Sequence, residues 1–276
     1  MLFRSPLEVF SSPFDFDPLV LPPFYSSLLL AWRKIGGYFS NPLNSLAVGL
    51  CPAKSLTCKF AYRHLLSLDS CSPHCIEKFR PVFGELYWPA TWQQLSLMPL
   101  DRKVTDLCWK VSHGVLYTAE RLSSFGYNLP TSCFCGYHME SLDHLFFSCP
   151  LAKSGLDWIQ SLLFLASPLA PSLALRHILF GFSSDEMLCV PRCFVYLIHV
   201  CKFVVWTQRN DYRFRSTAPS AVGLIASIKS RVKFFLPLFF KRFRSSRRRR
   251  YFIRQWGANG RICSLDGSSI VFSPSF

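Results

Sequence analysis

Apolar residues recur at helical spacing along most of this chain. In Leu19–Lys34, Phe24, Leu28, Leu29 and Trp32 fall on one face, and Gly36–Gly37 closes the run, which predicts an amphipathic helix. Leu56–Leu68 predicts a second helix. Residues 40–56 between them carry Pro42, Gly49 and Pro52 and predict loop with short extended pieces. Residues 77–98 bring Phe79, Phe83, Leu86, Trp88, Trp92 and Leu95 together as an aromatic-rich packing segment. From Asp101 the pattern sharpens. Val104, Leu107, Cys108, Val111 and Val115 line one helix face, and Asp101 is placed to cap it. Ala119–Phe125 predicts a short helix between Thr118 as N-cap and Gly126 as its C-terminal stop. Leu142–Phe147 begins another and carries His144. Leu151–Leu163 packs Leu156, Ile159 and Leu163. Met187–Tyr212 is strongly apolar and interrupted by Pro191. Ala218–Phe240 has Pro219 suited to its first turn and Pro237 placed to end or kink it. In RICSLDGSSIVF, Asp266–Gly267 separates two β-prone runs, which predicts a hairpin.

A chain of 276 residues, half apolar and 16% aromatic, has enough material for one large or two small cores and is not globally disordered. It holds 12 cysteines. The start, MLFRSPLEVFSSPFDFDP, does not read as a signal peptide, because Glu8, Asp15, Asp17 and the prolines among them break any apolar stretch. Reduced thiols inside a cell are therefore expected, and metal binding is favoured over disulfides. Cys108, Cys189, Cys193, Cys201 and Cys263 sit among apolar residues and read as small core side chains. The uncharged stretch Trp158–Leu175 contains Pro168 and Pro171 and is short for a membrane span of ~20 residues.

Cys133, Cys135, His144 and Cys149 are clustered differently, as C-x-C-x8-H-x4-C. Three thiols and an imidazole suit a tetrahedral zinc site, since soft thiolates and neutral imidazole match a borderline-soft ion. Gly136 after the second cysteine lets the backbone turn tightly round a metal. The competing reading is buried thiols and a helix histidine. The C-x-C pair is tighter than the usual spacing, and His138 is a competing ligand. Cys71, His74 and Cys75 form a second candidate site without a second half. The fold class expected is mainly α: bundle-like helical segments around a small CCHC zinc knuckle, with a short C-terminal β-hairpin.

Charge adds a second function. There are 31 Lys and Arg against 16 Asp and Glu, a formal net charge of +15. Such an excess favours a polyanionic partner. Between Lys229 and Arg254 stand eleven basic residues and no acid. Arg242, Arg244, Arg247, Arg248, Arg249, Arg250 and Arg254 are the candidate nucleic-acid contacts, with Phe243, Tyr251 and Phe252 interleaved for stacking on unpaired bases. The same run also reads as a nuclear localisation signal or a solvated charge run. The Phe-rich residues 234–240 beside it leave a peripheral anionic-membrane reading open.

No Gly-rich phosphate loop or GxSxG occurs, and the only adjacent acids are Asp185–Glu186. Four protein ligands point to a closed structural site instead of a hydrolytic one with an open position. The expectation is a binding piece with no polymerase or nuclease centre.

Residues 101–160 resemble the zinc-binding domain that follows the reverse transcriptase in LINE-type retrotransposon polyproteins. The matching residues are Trp109, His113–Gly114, Leu116, Thr118, Arg121–Leu122, Cys133, Cys135–Gly136, and Glu140 through His144–Leu145–Phe146 to Cys149–Pro150. Weaker similarity extends through LPPFYSSLLLAW upstream and WTQRND downstream. The resemblance implies a carboxy-terminal polyprotein fragment that binds RNA or DNA, with the polyprotein or its ribonucleoprotein as a further partner. It assigns zinc to Cys133, Cys135, His144 and Cys149. On this basis the regions are 1–80 helical and loop, 81–165 zinc-binding, 166–228 helical, and 229–276 a basic tail. The expected location is intracellular, the nucleus before the cytoplasm. The alternatives are a zinc-shaped protein-interaction module and a degenerate copy without selected function.

Overall fold

The computed structural model describes residues 47–48, 51–52, 73–98 and 101–276. Two compact units divide at Cys71 and Ser72. In the first, β1 (Ala47–Val48) pairs antiparallel with β2 (Cys51–Pro52). The helices expected over Leu19–Lys34 and Leu56–Leu68 lie outside the described residues.

The second unit is mostly helical, with one two-stranded sheet near the C-terminus. The aromatic segment forms α1 (His74–Phe83) and α2 (Trp88–Leu97). Both pack on Phe180, the last residue of α6 (Leu175–Phe180), whose ring meets Phe79, Phe83 and Trp88 edge-on at 4.9, 5.1 and 5.4 Å. Such T-shaped contacts place positive ring edges on negative faces. α3 (Arg102–Ser112) buries Val104, Leu107, Cys108 and Val111, and the Asp101 carboxylate accepts the Val104 N–H at 2.9 Å. α4 (Ala119–Ser124) is capped by the Thr118 hydroxyl. α5 (Pro150–Ala166) buries Leu156, Ile159 and Leu163 as its spacing requires.

α7 (Arg192–Arg215) is the central element. It packs against α3, α5 and α8 (Ala221–Phe240), and against α9 (Ser246–Trp256). Every residue from Cys193 to Lys202 is buried, the signature of a helix enclosed on all sides. Lys202 is drawn into this core. Burial lowers its pKa, and its amine donates to the Ile178 carbonyl at 2.8 Å. Cys108, Cys193, Cys201 and Cys263 are core residues as expected; Cys189 is half-buried. Among the described residues no helix is long and apolar enough to cross a membrane.

Several expectations shift. Pro219 lies outside α8, because Ser220 is the N-cap and accepts the Gly223 N–H at 3.1 Å. Pro237 stays inside α8, which runs on to Phe240. The basic tail, residues 229–276, is folded in the structure. It forms the end of α8, then α9, then the hairpin β3 (Cys263–Asp266) and β4 (Ser269–Phe272). Asp266 pairs with Ser269 round Gly267–Ser268. α9 is amphipathic: Phe252 and Trp256 enter the core. Phe252 is packed against Phe239, Phe240, Phe243 and Trp256, so it has no face for a base.

α3 also stops earlier than Val115, for a reason at Gly114. This residue adopts φ +62, a left-handed turn that an L side chain resists. Its carbonyl accepts from Lys78 Nζ at 2.8 Å and from Arg121 at 2.6 Å, tying α1 and α4 to the end of α3. A Cβ there would stand 2.8 Å from Lys78 Nζ and from the Phe79 ring. Gly114→Ala should therefore lose about 1–3 kcal/mol in urea unfolding. Gly260→Ala, at φ +80 with nothing within 4 Å, carries the backbone cost alone and should lose less. Equal losses would mean the close packing at Gly114 contributes nothing.

Candidate metal centre

Between α4 and α5 the chain doubles back in a narrow loop. The Glu140 N–H donates to the Thr131 carbonyl at 2.7 Å, and the Cys133 N–H to the Tyr137 carbonyl at 2.8 Å. The tip closes by a bond from the Gly136 N–H to the Cys133 carbonyl at 3.0 Å, with Gly136 at φ +90. This turn is the conformation its missing side chain permits. It presents Cys133 inward and leaves Cys135 exposed.

The other two side chains come from an unusual winding. Ser141 Oγ accepts the His144 N–H at 3.0 Å and starts a helical turn. His144–Ser148 then winds as a π-helix, and the Cys149 N–H donates to the His144 carbonyl at 2.6 Å, five residues back. In an α-helix, residues five apart diverge by about 140°. The wider π turn brings them close to one side, as such turns do at functional sites. Cys149 is also the residue before α5, whose Pro150 occupies the first helical position.

Cys133, Cys135, His144 and Cys149 consequently offer four donor atoms within 4.8 Å of one another. Cys133 Sγ lies 4.0 Å from Cys149 Sγ, and Cys135 Sγ 3.2 Å from His144 Nε2. The two buried sulfurs titrate as a pair. Their mutual hydrogen bond raises Cys133, with burial adding to it, and lowers Cys149, with the Leu151 and Ala152 backbone at the start of α5 acting in the same downward direction. A helix N-terminus favours thiolate in this way. Burial lowers the His144 pKa, which keeps the ring neutral and able to donate a lone pair. The Tyr137 ring stacks on His144 at 4.3 Å and fixes its plane. Three sulfurs and one nitrogen converging on one point fit a soft or borderline metal ion. His138, the competing ligand, is exposed and outside this group. Of the second candidate set, Cys71 lies outside the described residues, Cys75 is a core residue and His74 is exposed.

One residue of the family pattern, given no role by the sequence, holds the loop in place. Glu140 is fully buried. Its carboxylate accepts from Arg209 Nε at 3.1 Å on both oxygens, from Arg213 at 3.2 Å and from the Ala119 N–H at 3.0 Å. Arg213 also donates to the Pro130 and Ser132 carbonyls at 3.1 and 2.9 Å. The Arg209 guanidinium lies 4.7 Å over the Trp206 ring. The last turns of α7 thereby grip both strands of the loop. The sequence signals are Glu140 and WTQRND within the family resemblance, and the arginines Arg209, Arg213 and Arg215 at the polar end of α7.

The basic residues are elsewhere. Arg242 and Arg244 occupy the exposed turn between α8 and α9. Arg247, Arg248, Arg250 and Arg254 are exposed on α9. Arg249 is half-buried, donating to the Phe243 carbonyl at 3.0 Å with its guanidinium over Phe240.

Residues 84–155 match the model of a family described as zinc-binding in reverse transcriptase. All four donors fall within that span. No curated protein and no solved structure matches the chain.

Glu140→Ala or Arg209→Ala alone should cost about 3–5 kcal/mol, because each strands a buried charge. The double change Glu140→Ala with Arg209→Ala should cost less than the sum of the two single losses. Urea unfolding of the four proteins measures the coupling; strictly additive losses would show that the two side chains act independently.

Proposed function

We propose that this chain is a zinc-dependent nucleic-acid-binding fragment of a LINE-type retrotransposon reverse transcriptase polyprotein. Residues 81–165 are its zinc-binding domain. The observation that carries the reading is the convergence of Cys133, Cys135, His144 and Cys149 inside a segment matching a zinc-binding reverse transcriptase family. Tetrahedral zinc with Zn–S bonds of about 2.3 Å separates its sulfurs by about 3.8 Å, close to the 4.0 Å between Cys133 and Cys149. Zinc in such a closed CCHC set supplies folding free energy and no reactive water. The loop itself is too short to bury enough apolar surface to order alone.

Nucleic acid is the partner that the charge supports. Arg242, Arg244, Arg247, Arg248, Arg250 and Arg254 are exposed, and none makes a salt bridge among the described residues. RNA or DNA phosphates would supply the missing counter-charge. The same run serves nuclear import, which agrees with a nuclear location and with a polyprotein or ribonucleoprotein partner. Catalytic carboxylates would come from other parts of that polyprotein.

Native mass spectrometry of the purified chain should find one zinc, absent from a Cys133→Ser/Cys149→Ser variant. In that variant hydrogen-exchange protection should fall across 130–150 while α7 and α8 stay protected. RNA or DNA should bind the wild type with an affinity that drops steeply as salt rises. A wild-type chain without metal would remove the zinc half of the reading. Failure to bind either polyanion at low salt would remove the other.

A further inference from the structure

α9 carries more information than its charge. At 100° per residue, Arg247, Arg250, Tyr251 and Arg254 fall on the side opposite Phe252 and Trp256. All four are exposed, and Phe252 and Trp256 are buried. The helix is therefore fixed to the core by one face and presents a straight basic stripe on the other. Arg249 is excluded from the stripe by its bond to the Phe243 carbonyl.

The three arginines follow one another at steps of about 4.5 and 6 Å along the axis. Guanidinium groups on flexible stems at those steps can each take a consecutive phosphate of one strand. The stripe also contains one ring. Tyr251 is 43% exposed, and the Arg254 guanidinium lies 5.4 Å from its centroid. Phe243 and Phe252 are packed against each other and against Phe239, so Tyr251 is the aromatic of this segment with a surface to offer. A ring beside phosphate-spaced arginines is useful to a strand whose bases are unpaired. In a duplex the bases are stacked inward, and the ring would meet only sugar and phosphate. Among the described residues none of the three arginines makes a salt bridge, and the sequence has no acid between Asp211 and Asp266.

We propose that the outer face of α9 is a rail for a single nucleic-acid strand. Arg247, Arg250 and Arg254 hold successive phosphates, and Tyr251 stacks on an unpaired base. This rests on the nucleic-acid reading above and specifies the form of the ligand.

Fluorescence anisotropy with a labelled mixed-sequence 15-mer, as DNA and as RNA, against its blunt duplex, tests it between 50 and 200 mM salt. The single strand should bind more tightly than the duplex. Tyr251→Leu, which keeps an apolar side chain at an exposed position, should weaken single-strand binding roughly tenfold and leave duplex binding unchanged. Arg247→Gln/Arg250→Gln/Arg254→Gln should weaken both and flatten the single-strand salt slope by about two. Circular dichroism and metal content verify that the variants stay folded. Duplex bound as tightly as single strand, or Tyr251→Leu without effect on the single strand, overturns the rail and leaves the nucleic-acid reading standing. Binding of neither form overturns both.

Discussion

A carboxylate with no access to water has to be answered by charge, and Glu140 is answered twice. Arg209 grips it side-on and Arg213 from beyond, while the Ala119 amide closes a remaining lone pair. Burying an ion costs several kcal/mol after relaxation, and only a fully hydrogen-bonded set offsets it. The position of the whole loop follows from that requirement. Arg213 cannot reach Glu140 and the carbonyls of Pro130 and Ser132 at once unless both strands of the loop lie against the end of α7. Cys133 and Cys135 are then held near His144 and Cys149 by a contact that has nothing to do with metal chemistry. The ion pair places the ligands, and the metal reading explains why three thiols and an imidazole are there to be placed.

The donor set also depends on a local departure from α-helical winding. His144 and Cys149 are separated by a spacing that suits neither an α-helical face nor a strand. The i→i+5 bond at Cys149 resolves the mismatch, and α5 begins immediately afterwards with Pro150, which needs no amide partner. At the same junction the backbone of Leu151 and Ala152 helps to lower the pKa of the Cys149 thiol. One irregular turn thus brings two donors together, starts a long helix and favours thiolate on one of them.

Much of this was legible in the residues. The caps at Asp101 and Thr118, the apolar faces of α3 and α5, the buried length of α7 and the C-terminal hairpin follow from periodicity and turn chemistry, which are local. So does the candidate cluster, because its members are close in sequence. What was not legible is long-range or conformational. Glu140 and Arg209 are 69 residues apart, and no pattern announces that they meet. The π winding leaves no compositional mark. The basic run looked like a tail because charge dominates its composition; Phe252 and Trp256, two residues in eleven, are enough to fix it to the core as a helix. Composition likewise does not separate the interleaved aromatics, whereas packing assigns Phe252 to the interior and leaves Tyr251 outside.

The segment that carries the family pattern ends at residue 155, but the cation that neutralises its buried carboxylate sits at 209. The stretch recognisable by comparison therefore leaves out the arginines that hold its buried carboxylate. Cut out at 84–155, the loop would keep all four donors and lose both arginines, the Trp206 ring and the helix that seats it. A truncation at that boundary would split one electrostatic unit, whose carboxylate lies on one side of the cut and whose guanidinium groups lie on the other.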